Sequence, residues 1–135
     1  MANYEQIYRK ALKDNESFWL DAAAAIDWTK EPKTALDKKN PPLYRWFPDG
    51  KMNTCFNAVD RHVLAGRGTQ KAIVYDSAIT GQKSSTTYAE LKCQTARFAG
   101  MLASLGVTQG DRVIIYMPMI PEAIVAMLGL SLIHI

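Results

Sequence analysis

Apolar residues recur at helical spacing between positions 4 and 12, which predicts an amphipathic first helix. Asn3, with Gln6 three residues later, has the spacing of a capping box. A second helix is predicted from about Asp14 to Ala25, because its alanine run favours helix. The side chains expected on one side of that helix are Phe18, Ala22, Ala25 and Ile26.

Residues 29–53 contain four prolines and no sustained apolar period, so the sequence predicts a long irregular connection. Three aromatic residues within it favour a segment laid over another surface, because such rings are costly to leave in water: Tyr44, Trp46 and Phe47. Trp19 and Trp28 are expected to anchor the helices on a larger body, or else to fill a local core. Asn53 or Thr54 then caps a short helix through Val63, which residues 66–68 end.

A strand is predicted at residues 72–75, and a turn containing Thr80, Gly81, Ser84 and Ser85 leads from it towards Tyr88 as a hairpin. Thr87 and Glu90 have capping-box spacing, so a helix begins there. Its buried face is predicted to contain Leu91, Phe98, Leu102 and Leu105.

The next stretch predicts a helix end, a turn, a strand and another helix. Gly106 suits the left-handed conformation after a helix, and residues 113–117 form an apolar, β-branched run typical of a strand covered on both faces. Pro118 ends that run, while Pro121 and Glu122 suit a first helical turn. Helices alternating with strands indicate the α/β fold class.

The composition is that of a globular protein: 135 residues, of which 48% are hydrophobic and 21% charged, with a net charge of +3. Basic residues are concentrated in positions 29–71. That excess could attract an anionic ligand, but we favour a solvated loop kept soluble by Lys30, Lys33, Lys38 and Lys39. No dense basic stripe or recognised motif predicts nucleic-acid binding.

Cys55 and Cys93 are 38 positions apart and form no zinc pattern, so we expect two reduced, partly buried thiols. Charged residues interrupt the first 20 positions, which argues against a signal peptide. The expected location is the cytoplasm or an organelle matrix such as that of mitochondria.

Candidate reactive side chains are few. Asp60, Arg61 and His62 are adjacent, but neighbours in a helix do not face one another, so packing is favoured over catalysis. His134 has no partner at metal-ligand spacing, and residues 84–87 fit turn and cap positions better than a phosphate site. The sequence thus predicts no catalytic, cofactor-binding or metal-binding residue.

Four segments resemble one family in family order. They are FWLDAAAAIDW at 18–28, YRWFPDGKMNTCFNAVDRHV at 44–63, TTYAEL at 86–91, and GDRVIIYMPMIPEAIVAML at 110–128. The resemblance is to the short-chain acyl-CoA synthetases, the acetyl- and propionyl-CoA branch of the adenylate-forming enzymes. YRWF and NTCFNAVDRH are closer to the propionyl-CoA synthetases.

The resemblance implies a parent ligase that uses ATP, Mg²⁺ and coenzyme A to convert a short-chain acid through an acyl-adenylate. It implies an amino-terminal extension at residues 1–63, the beginning of the AMP-binding domain at 64–128, and a tail outside the family at 129–135. A foreign junction, such as adapter read-through or a frameshift, is our hypothesis for that tail. The family's phosphate loop would lie beyond position 135, so the fragment is expected to be inactive and to bind none of these cofactors.

Two other interpretations stay open from the sequence. One is a non-catalytic interaction module that uses exposed aromatic residues, and the other makes residues 113–135 a membrane anchor, which Pro118, Pro121 and Glu122 disfavour. If the chain is a fragment with an open sheet edge, aggregation or molten behaviour is expected on expression.

Overall fold

A computed structural model describes residues 3–134 and divides them into two compact units, the first ending at Met52 and the second beginning at Asn53. Helices precede a mixture of helices and small two-stranded sheets. The predicted α/β class is confirmed.

The first unit begins with the two predicted helices. Helix α1 spans Tyr4–Lys13, and the backbone N–H of Asn3 donates to Gln6 Oε1 at 3.3 Å, as the capping-box spacing predicts. Helix α2 spans Asn15–Ala23, with Asp14 accepting the N–H of Ser17 at 3.1 Å. Helix α2 ends two residues earlier than predicted. The predicted apolar side is wrong in detail, because the buried residue of this helix is Ala23, which was not among the predicted side chains.

Residues 28–52 contain four short strands rather than an irregular connection. Strand β1, Trp28–Lys30, pairs antiparallel with β4, Lys51–Met52, and β2, Leu36–Asp37, pairs antiparallel with β3, Arg45–Trp46. Ladders of two or three residues are too short to produce an apolar period, which is why the sequence did not reveal them.

Aromatic rings contact one another in this first unit. Trp28 donates its indole N–H to the carbonyl of Ala23 at 2.8 Å and meets Phe47 with ring centroids 5.5 Å apart. Trp19 and Trp46 are 5.4 Å apart, edge to face. Trp19 and Trp46 nevertheless stay 38% and 51% exposed, so the rings contact one another without forming a buried core, and their anchoring on a larger body stays a prediction.

The second unit begins with a helical segment that is wound differently from the prediction. Asn53 Oδ1 accepts the N–H of Phe56 at 2.9 Å, which confirms the predicted cap. The segment then contains two π-helical stretches, Phe56–Asp60 and Val63–Arg67, and ends near Gly66, which has a φ of 78°. The helix thus extends past Val63, its predicted last residue, and ends at residues 66–68, which were predicted to end it.

A hairpin and a long helix follow. Strand β5, Lys71–Asp76, pairs antiparallel with β6, Lys83–Thr87, so Ser84 and Ser85 lie in a strand and not in the predicted turn. Helix α3 spans Tyr88–Ser104. Thr87 Oγ1 accepts the N–H of Glu90 at 3.3 Å, while Glu90 accepts the N–H of Thr87 at 2.8 Å, which confirms the capping box.

The core of the second unit is a cluster of Cys55, Val59 and Leu91, against which Val125 and Leu128 pack. Leu102 is also buried, as predicted for the inner face of α3. Leu105, however, is 73% exposed, because it follows the last residue of α3.

The predicted buried strand at residues 113–117 is wrong. Gly106 has a φ of 85°, as the cap prediction requires, but the run that follows is extended without joining a ladder, and Tyr116 is 99% exposed. A strand needs a neighbouring strand for its backbone hydrogen bonds, and residues 3–134 provide none beside this run.

Helix α4 spans Pro121–Ile133, with proline in its first turn and Glu122 beside it, as predicted. Residues 129–133, assigned to a tail outside the family, continue this helix. Within the described residues, no helix has the length and apolar character that crossing a membrane requires.

Candidate functional site

The three adjacent candidates of the sequence contact different partners in the structure: Asp60, Arg61 and His62. Asp60 forms an ion pair with Lys92 of α3 at 3.2 Å, and Arg61 donates to Asn57 at 3.1 Å. His62 instead contacts Arg67. The three side chains do not converge on one point, so they lack the arrangement of an acid–base triad.

His62 lies in a small cluster with Arg67 and Tyr88. The His62 and Tyr88 ring centroids are 4.9 Å apart, edge to face, and the Arg67 guanidinium lies 6.0 Å from the Tyr88 ring centre. Partial burial, together with the charges of Arg67 and then Arg61, lowers the pKa of His62 below its ordinary value. A neutral imidazole beside a cation can pack and hydrogen-bond, and His62 packs on Tyr88 and contacts Arg67.

Sequence reasoning did not find this cluster. Arg67 follows His62 by five residues along a π-helical stretch, and Tyr88 approaches from the first turn of another helix. No short sequence pattern predicts the contact of His62 with Arg67 or the contact of His62 with Tyr88.

The two thiols have opposite environments. Cys55 is buried, and this burial, followed by the nearby Asp60 carboxylate, raises the pKa of its thiol to about 11. Cys93 is exposed on α3, so the prediction of two partly buried thiols is wrong for both. A thiol that stays protonated at neutral pH is a poor nucleophile, which leaves Cys55 a packing role.

The other sequence candidates are dispersed. Ser84, Ser85 and Thr86 lie in β6, and Thr87 caps α3. His134 ends α4, and across residues 3–134 no group of three or more His, Cys, Asp and Glu side chains could hold a metal ion.

A groove of about 500 Å³ lies between β6, α3 and α4. Its walls are mainly apolar, and the polar side chains at its margin form no nucleophile–base pair. The residues that line it include Thr86, Gln94, Phe98, Met117, Glu122 and Val125. The groove suits contact with an apolar chain segment better than chemistry, and only the tertiary packing of α3 on α4 creates it.

Two family descriptions match the chain in succession. Residues 4–58 match the family described as acetyl-coenzyme A synthetase N-terminus, and residues 61–134, more than half of the chain, match the family described as AMP-binding enzyme. The chain belongs to the AMP-binding enzyme family. The predicted division at residues 63 and 64, and the tail at 129–135, stay predictions.

Relatives of this AMP-binding enzyme chain include an acetyl-coenzyme A synthetase of Streptomyces avermitilis, 47% identical over 92% of the chain and 19% of the relative. Human acyl-CoA synthetase short-chain family member 3, mitochondrial, is 43% identical over 95% of the chain and 19% of the relative. The chain thus spans about a fifth of the length of these relatives and matches their amino-terminal region.

A solved structure supports the same relationship. The acetoacetyl-CoA synthetase from Streptomyces lividans superposes with a TM-score of 0.81 and 28% identity, covering 99% of this chain and 21% of that one. These three relatives carry the names of acetyl-CoA, acetoacetyl-CoA and short-chain acyl-CoA synthetases, and none of the three names mentions propionate.

Proposed function

We propose that this chain is the amino-terminal part of an AMP-forming short-chain acyl-CoA synthetase. The longer protein would convert propionate or acetate, ATP and coenzyme A into acyl-CoA, AMP and diphosphate through an acyl-adenylate. The observation that supports this is the ordered match of the two family descriptions over residues 4–58 and 61–134. We place the longer protein in the cytoplasm or the mitochondrial matrix.

The proposal assigns no catalytic step to the 135 residues themselves. Phosphoryl and adenylyl transfer need a cradle of backbone N–H groups with a cation to offset the moving charge. This sequence contains no Ser/Thr/Gly-rich run ending in Lys. ATP, Mg²⁺ and coenzyme A therefore belong, in this proposal, to sites supplied by the longer protein.

Propionate is the acid we favour over acetate. The support is the resemblance of YRWF at 44–47 and NTCFNAVDRH at 53–62 to propionyl-CoA synthetases. Neither segment contributes to the groove beside α3 and α4, so the preference rests on the sequence likeness alone.

Acid-dependent exchange of labelled pyrophosphate into ATP tests both parts of the proposal. We expect exchange from the longer protein with propionate and acetate, with the higher kcat/KM for propionate, and none from the 135-residue chain. A longer protein inactive with both acids, or a 135-residue chain active alone, would contradict the proposal. Equal or higher kcat/KM for acetate would contradict only the substrate preference.

An interaction module is the second candidate, and the surface of α1 favours it. Tyr4, Tyr8 and Leu12 lie along one side of that helix and are 78%, 52% and 68% exposed. An apolar stripe of this kind suits docking on a partner. If the 135-residue chain is the complete product, a Tyr8→Lys variant should lose any partner that co-purifies with it, whereas a Lys13→Glu variant should keep it.

A further inference from the structure

We draw no further inference here: the strongest candidate, the mainly apolar groove between β6, α3 and α4, carries none because nothing in the structure shows what covers it.

Discussion

At the scale of single residues, the second unit is organised around side chains that are buried without being chemically active. Cys55 lies with Val59 and Leu91 in a cluster that excludes water, and its thiol keeps its proton at neutral pH. Thr95 is also fully buried, and its hydroxyl has no hydrogen-bond partner in the described part of the chain. The burial of Cys55 and Thr95 therefore reflects how the second unit packs.

Alkylation should therefore distinguish the two cysteines. At pH 7 and low protein concentration, iodoacetamide should label Cys93, which is exposed, much faster than Cys55, because Cys55 is buried and its pKa is raised to about 11. In urea the two rates should converge. Peptide mass spectrometry measures both rates, and equal labelling without urea would show that the cluster does not form.

Thr95→Val should stabilise the second unit by about 1 kcal/mol, because valine keeps the shape of threonine and removes an unpaired buried hydroxyl. Urea unfolding, followed by the exposure of Cys55, measures the free energy of unfolding. Thr95→Ser is the control, since serine keeps the hydroxyl and loses a methyl group. A Thr95→Val variant less stable than the parent would mean that the hydroxyl has a partner.

At the scale of elements, the helix boundaries were predictable where local chemistry fixes them. The capping boxes at Asn3 and Thr87 and the proline at position 121 each mark a helix start, because these interactions involve residues within one turn. The extended run at residues 113–117 and the short ladders between residues 28 and 52 were not predictable. A strand depends on partners distant in sequence, and an apolar run favours pairing without supplying the partner.

Asp49 provides the clearest example of a distant contact that organises an element. Its carboxylate accepts the backbone N–H of Lys33 at 3.0 Å and of Thr34 at 3.3 Å, in the loop that precedes β2. These two hydrogen bonds, the Lys33 bond foremost, lower the pKa of Asp49 below its ordinary value of 3.8. The carboxylate therefore stabilises this loop above its ordinary pKa, and the contribution is lost as the pH falls through the lowered value.

Amide hydrogen exchange checks this role. Asp49→Ala should speed exchange at Lys33 and Thr34 at pH 7, and lowering the pH of the unmodified chain below the lowered pKa should reduce their protection in the same way. Asp37→Ala is the control, because the Asp37 carboxylate accepts the N–H of Lys39, whereas the N–H groups of Lys33 and Thr34 donate to Asp49. If Asp49→Ala left both amides protected, the loop would be held by other contacts.

At the scale of the whole molecule, both units expose large apolar side chains, and the core cluster of the second unit is small. They lie on several elements, and they include Tyr4, Leu12, Leu64, Val74, Ile79, Ile114, Tyr116 and Met119. The groove beside α3 and α4 could not be predicted from the sequence, because it forms only when distant elements pack. The phosphate loop that the family resemblance implies is a different site, and its sequence pattern does not occur in these 135 residues.

We expect aggregation, because large exposed apolar side chains can associate between chains. The packed cluster around Val59 argues against a fully molten chain. Light scattering should rise with concentration in native buffer, and the dye ANS should bind with increased fluorescence. A chain that stays monomeric at every concentration and binds no dye would contradict this expectation.

Sequencing the transcript across Leu128 from an independent sample decides whether a synthetase contains this chain. We predict that the reading frame continues into a protein about five times as long, as the relatives' coverage of 19% suggests, and that it includes a Ser/Thr/Gly-rich phosphate loop. A stop codon directly after Ile135 would contradict the proposed synthetase and would leave the interaction module as the function to pursue.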